Sequence, residues 1–304
     1  MRRVLMITAT AAALAVYAAP AADAAITWTV QPTPTPAQGV DGLFLAVSCV
    51  SSSDCTAVGG YTSNAGPVTL AEHWDGTSWA VQATPNPTGA SFSTLEGVSC
   101  PSASDCTAVG ESYINHGTTS LPLAEHWDGS TWAIQAMPVP AGAFGVQVKA
   151  VSCPTASDCT AVGEYDKQGS PELTLAEHWN GSTWAVQAMP VTSPVASSVF
   201  LNGVSCPAPG KCTAVGWFQR NGTGAFVTLA ENNYSGSWRI ESIRGPSATL
   251  GQLNAVSCTA RANCPAVGTP SVGPVPAWPA PSTCCRPSVR PAPARRLAFR
   301  RRCS

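Results

Sequence analysis

VSCVSSSDCTAVG, residues 47–59, returns as VSCPSASDCTAVG at 98–110, VSCPTASDCTAVG at 151–163, VSCPAPGKCTAVG at 204–216 and VSCTARANCPAVG at 256–268. The first cysteines of these phrases, Cys49, Cys100, Cys153, Cys206 and Cys258, lie 51, 53, 53 and 52 residues apart. A period of that length marks a chain built from stacked supersecondary units. A second phrase follows in each of the first four units: LAEHWDGTSWAVQ at 70–82, LAEHWDGSTWAIQ at 123–135, LAEHWNGSTWAVQ at 175–187 and LAENNYSGSWRIE at 229–241. A lone copy of its last part, TWTVQ at 27–31, precedes the first cysteine pair.

Each unit reads as four short strands. The first is the apolar run ending in VSC, and the second begins at the second cysteine as CTAVG. Between the cysteines stand Ser, Asp and Pro, which form turns. The third strand, TLAEHW, alternates apolar and polar residues, the period of a half-buried strand. Asp-Gly or Asn-Gly then supplies a tight turn, because both residue types tolerate positive φ. WAVQ is the fourth strand, ended by a Pro-rich stretch. Four strands in roughly 50 residues is the arithmetic of a β-propeller blade. The expectation is an all-β propeller of about five blades, four complete and a fifth begun. The chain opens on a lone fourth strand and returns at its end to a first and second strand, as in a ring closed by both ends. An open solenoid is the alternative, although a linear array needs capping units.

Composition agrees with this reading: 26 Gly, 27 Pro and only 11% charged residues favour turn-rich β-structure over long helices. The N-terminus reads as an export signal. Arg2 and Arg3 precede an apolar run from Val4 to Ala19, and Ala22-Asp23-Ala24 fits a small-x-small cleavage site. Residues 1–24 are therefore expected to be a signal peptide and the mature chain to be extracellular, with no membrane span after cleavage. In an oxidising compartment the ten repeat cysteines are expected to pair locally, as Cys49–Cys55, Cys100–Cys106, Cys153–Cys159, Cys206–Cys212 and Cys258–Cys264. Metal binding by these pairs is the rival reading, disfavoured because one pair per blade keeps the pairs apart and no histidine has finger-type spacing.

The two phrases together resemble uncharacterised secreted repeat proteins of high-GC Gram-positive bacteria and, more distantly, kelch and Asp-box propellers. Val58-Gly59-Gly60-Tyr61 followed by Trp74 and Trp79 is similar to the kelch pattern, and Asp75-Gly76-Thr77-Ser78-Trp79 to an Asp-box lacking the residue between Asp and Gly. The resemblance spans about residues 26–268 and implies the propeller fold. It assigns no activity, since propellers host unrelated functions.

After Gly268 the pattern breaks. Residues 269–304 are rich in Pro, Ala and Arg and hold no acidic residue. This composition is what out-of-frame translation of a GC-rich gene yields. The tail is expected to be disordered and frameshift-derived, with a genuine basic tail as the alternative. A truncated, non-functional gene product remains one reading of the chain. Residues 25–268 hold 16 acidic and 7 basic side chains, which disfavours nucleic acid as a partner.

The search for chemistry yields little. No EF-hand, P-loop, HExxH or GxSxG pattern occurs, so no cofactor, metal or catalytic residue is assigned. His73, His126 and His178 recur in register and are expected to pack on strand faces. The tryptophan pairs are expected to pack between blades. Asp54, Asp105 and Asp158 are expected to brace the turn before the second cysteine with their own side chains. Loops two–three and four–one vary from unit to unit, whereas the other turns repeat. Per-unit variation marks a binding face. Tyr61, Tyr113, Tyr165, Trp217 and Phe218 stand where strand two enters these loops. They either cap the blade cores or stack on sugar rings or a protein partner. The leading expectation is a secreted, non-catalytic binding module for glycan or cell-envelope material. A secreted propeller-type glycoside hydrolase is the alternative, and acidic side chains converging near the axis on the variable face would favour it.

Overall fold

The computed structural model describes residues 29–36, 39–190, 196–243 and 251–270, and the backbone of 297–299. The expected signal peptide and most of residues 269–304 lie outside the described residues. The chain divides into Met1–Pro32 and Thr33–Ser304, and every sheet belongs to the second unit.

The architecture is all-β and propeller-type. The first sheet is β1 (Val40–Ser51), β2 (Asp54–Ser63), β3 (Gly66–Trp74) and β4 (Trp79–Gln82). The second is β5 (Phe92–Ser102), β6 (Asp105–Ile114), β7 (Thr119–Trp127) and β8 (Trp132–Gln135). The third is β9 (Ala143–Thr155), β10 (Asp158–Lys167), β11 (Leu173–Trp179) and β12 (Trp184–Val186). The fourth is β13 (Ala196–Ala208), β14 (Lys211–Arg220), β15 (Phe226–Asn233) and β16 (Arg239–Ile240). In each of these, sequential strands pair antiparallel in the order one-two-three-four. The fifth sheet has three strands, β17 (Gly251–Val256), β18 (Ala266–Pro270) and β19 (Leu297–Phe299). In it Gly268, Val267 and Ala266 face Leu297, Ala298 and Phe299. Gly59, Val58 and Ala57 face Leu70, Ala71 and Glu72 in the same way, so the tail's Leu-Ala-Phe occupies the register of Leu-Ala-Glu. Among the described residues the one helical turn is a 3-10 turn at Asn115–Gly117.

Strands one and two run further into the hairpin than the turn-forming residues suggest. Ser51 faces Asp54 and Cys49 faces Cys55, so only Ser52 and Ser53 remain for the turn. The cysteines are thus directly cross-strand, and all five pairs form disulfides within their own hairpin.

The repeated phrases encode contacts between sheets. The serine of VSC accepts the backbone N–H of the next sheet's first cysteine: Cys100 N donates to Ser48 Oγ at 3.0 Å, and the same bond joins Cys153 to Ser99, Cys206 to Ser152 and Cys258 to Ser205. At the outer strand, the indole N–H of Trp132 donates to Gln82 Oε1 of the preceding sheet at 2.8 Å. Trp184 donates likewise to Gln135, and Trp238 to Gln187. Between these two ladders lies the core. Leu123, Leu175 and Leu229 face the preceding sheet, while Ala71, Ala124 and Ala176 face the next. Large meets small at the three interfaces between the first four sheets, which lets side chains interdigitate at crystal-like density.

A bulge bends every first strand. The register skips Leu45, Glu96, Lys149, Asn202 and Asn254, each opposite the glycine of AVG. A Cβ on Gly59, Gly110, Gly163, Gly216 or Gly268 would stand 1.8–2.0 Å from a strand-one carbonyl oxygen, so only glycine fits. The bulge is bought by this close backbone approach, and it re-aims the skipped side chain.

Two expectations are corrected. Asp54, Asp105 and Asp158 do not brace their turns. Their carboxylates meet His73, His126 and His178 at 3.3, 3.4 and 3.1 Å, and Ser51 Oγ accepts the turn N–H of Ser53 instead. In the three–four turn only the glycine takes positive φ, 94° at Gly76. Asp75 acts there through its side chain, whose Oδ1 accepts the N–H groups of Thr77 and Ser78 and the Thr77 hydroxyl. Those donors lower the Asp75 pKa to about 2.

Candidate functional site

The variable loops leave from the ends of β2, β6, β10 and β14, and the aromatic residues expected to bind ligand stand there. All five are half-buried. Tyr165 packs against the core between the second and third sheets, and Phe218 against the core between the third and fourth. Trp217 stacks on Phe200 at 4.3 Å between centroids and meets Phe226 edge-on at 5.0 Å. Tyr113 meets Phe92 edge-on and accepts a hydrogen bond from Gln147 Nε2 at 3.2 Å. The five belong to successive sheets, and three of them share one register. Tyr61, Tyr165 and Phe218 are sixth after the second cysteine, Tyr113 seventh and Trp217 fifth.

At these same strand ends the second and third sheets bring acids together, which no local motif announces. Glu111 and Glu164 are fifth after their cysteines, where the first sheet has Gly60 and the fourth Trp217. The bulges contribute Glu96 and Lys149. Lys149 Nζ lies 3.7 Å from Glu111 Oε1, and its charge also acts on Glu164. Glu164 also feels the charges of Glu111, Asp166 and Glu172. Glu111 and Glu164 are only 6% and 5% exposed, and Oε2 of each has no hydrogen-bond partner. Burial, which penalises the charged form, is the main cause of a raised pKa at both, with Lys149 opposing it. Glu164 is pushed up to about 8. Asp166 and Tyr113 are raised by burial and by the neighbouring acids. A site of five carboxyls around one ammonium holds spare hydrogen-bond acceptors and repels anions. The sequence signal was faint: a charged residue beside the glycine in two units of the five.

Three other features are scaffold. The His–Asp pairs recur sheet by sheet at the repeating turns. Trp132, Trp184 and Trp238 are 5% exposed and hold the outer ladder. An open groove of about 430 Å³ between the second and third sheets, beside Met137, Pro138, Trp179 and Trp184, follows from that packing. A second set of acids, Glu72, Glu125, Glu177 and Glu231, sits inside the protein at 0% exposure. Glu125, Glu177 and Glu231 share a strand face with the leucines that meet the preceding sheet. Thr69 lies near the Glu125 carboxyl and opposes its shift, but no carboxyl oxygen of the four has a partner at full hydrogen-bonding geometry. Burial raises Glu72 to about 7 and the other three to about 8.

No family model and no curated protein matches the chain. Among solved structures it is similar to YCF48 bound to D1 peptide, at 13% identity and a TM-score of 0.44, covering 79% of this chain and 62% of that one. It is similar to a PL25 ulvan lyase bound to a glycan, at 9% identity and a TM-score of 0.45, covering 76% and 62%. A fucose lectin from Kordia zhangzhouensis, in complex with methyl-fucoside, matches at 16% identity and a TM-score of 0.33, covering 47% and 97%. The chain thus spans about three fifths of the length of the first two.

Proposed function

We propose that this protein is an exported, non-catalytic glycan-binding module of the cell envelope or its surroundings, and that it binds at the variable-loop ends of the second and third sheets. One observation carries the reading: Glu111 and Glu164, nearly fully buried, each keep an unpartnered carboxyl oxygen beside Lys149, Tyr113 and Gln147. Sugars present dense hydroxyl donors, and a site with unspent acceptors and an aromatic edge is suited to them. Five hairpin disulfides support an oxidising compartment. Among the described residues no helix is long and apolar enough to cross a membrane.

A hydrolase is the second reading, favoured by Glu164. A carboxyl held at about 8 stays protonated at neutral pH, as a general acid must. Titration calorimetry of the purified protein against a glycan and cell-wall panel tests the choice, beside Tyr113→Ala and a reducing-sugar assay. Saturable binding weakened by Tyr113→Ala, without sugar release, is the expected result. Sugar release abolished by Glu164→Gln would replace the module with the enzyme. No binding by folded, oxidised protein would overturn both.

A further inference from the structure

Position five after the second cysteine is Gly60, Glu111, Glu164 and Trp217 in the four complete sheets. The fold therefore tolerates no side chain, an acid or an indole there, and does not itself require a carboxyl. At Trp217 the space is filled by stacking on Phe200 and an edge-on contact with Phe226. At Glu111 and Glu164 it holds buried oxygens without donors, an arrangement that costs roughly 1–3 kcal/mol per stranded group and that, unlike the glutamate of the LAE phrase present in all four units, stands in only two of them. Around them the charges do not balance. Glu96, Asp166 and Glu172 add three more carboxyls, and Lys149 spends its ammonium on Glu111.

Resting on the glycan reading above, we propose that this cluster takes an amino sugar, with the free ammonium of the ligand seated among Glu164, Asp166 and Glu172. An ammonium brings three donors and a positive charge to a place where carboxyls outnumber the Lys149 ammonium, and charge-assisted bonds are about twice as strong as neutral ones. Acetylation removes that charge and two of the donors. Uronic or sulfated sugars meet repulsion from the same carboxyls. Asp166 and Glu172 are half-buried and meet the ligand first, whereas Glu164 is enclosed. The raised pKa values of Glu164 and Asp166 agree with acids waiting for a cation, since a bound ammonium lowers both.

The test compares equal-length oligomers of glucosamine, N-acetylglucosamine and glucose against the intact oxidised protein. The glucosamine oligomer is expected to bind at least about ten-fold tighter than the other two and to lose that advantage in added salt. Asp166→Asn and Glu164→Gln are each expected to weaken it about ten-fold. Glu177→Gln, buried between sheets away from the cluster, is expected to leave it unchanged. Equal or tighter binding of the acetylated or neutral oligomer overturns the amine and leaves the glycan reading standing. An equal loss in Glu177→Gln overturns the site. No binding of any glycan by folded protein overturns both.

Discussion

Gly163 has room for nothing larger, because a methyl group there would stand 2.0 Å from the Gln147 carbonyl oxygen. That contact is backbone against backbone, so no rotamer relieves it. Gly163→Ala is expected to cost about 3 kcal/mol or more in urea unfolding. At Gly169, with φ 78° and no atom within 4 Å of a Cβ, the same change is expected to cost only about 1 kcal/mol, for backbone strain alone. The buried glutamates make a second prediction at this scale. Their folded pKa values, about 7 for Glu72 and about 8 for Glu125, Glu177 and Glu231, stand above the ordinary 4.5. The folded protein keeps protons that the unfolded chain gives up. Their contribution to stability is thus full below about pH 4.5 and is lost as pH rises to about 8, then levels off. The slope is on the order of 1 kcal/mol per pH unit for each group at most. Unfolding midpoints should therefore fall from about pH 5 to about pH 8, and Glu177→Gln should flatten that fall; a pH-independent midpoint would mean the carboxyls are not buried as described.

At the scale of the element, strand four is too short to hold itself. β12 is three residues long, and its place is secured by the Trp184 indole on Gln135 of the preceding sheet. Trp184→Phe keeps most of the ring packing and strands the Gln135 oxygen, so it should cost about 1–2 kcal/mol in thermal or urea unfolding. Exposed Ser182→Ala should cost less than half as much. The four strands per unit were legible in the sequence because alternation and turn residues are local signals. In the first four units the VSC, CTAVG, LAE and W-x-V/I phrases each became part of a strand where they stand, whereas Thr29–Gln31 of the lone TWTVQ copy, expected as a fourth strand, is not in a strand. What those phrases are for was not legible. The serine, glutamine and indole contacts join residues about 50 positions apart. The bulge shows in sequence only as a glycine in an apolar strand. The acid cluster was hidden for the same reason: Glu111 and Glu164 belong to different units, and only the stacking of sheets brings them to Lys149.

For the whole molecule, the first sheet differs from its successors in what lies before it. Val47 is 60% exposed, while the register-equivalent Val98, Val151 and Val204 are 8–9% exposed against a preceding sheet. Val47→Lys should leave the unfolding midpoint nearly unchanged, whereas Val151→Lys should unfold the protein by burying an unpaired ammonium. The disulfides carry a consequence of another kind. Each joins two cysteines six positions apart within one hairpin, and none crosses from one sheet to another. Deleting or duplicating a whole stretch of some fifty residues therefore orphans no cysteine and reassigns no bond, and the serine and tryptophan contacts simply re-form with the new neighbour. Such a gene can lengthen or shorten by unequal recombination and still encode a chain that oxidises correctly, so selection can vary the number of variable loops without having to reinvent the staples.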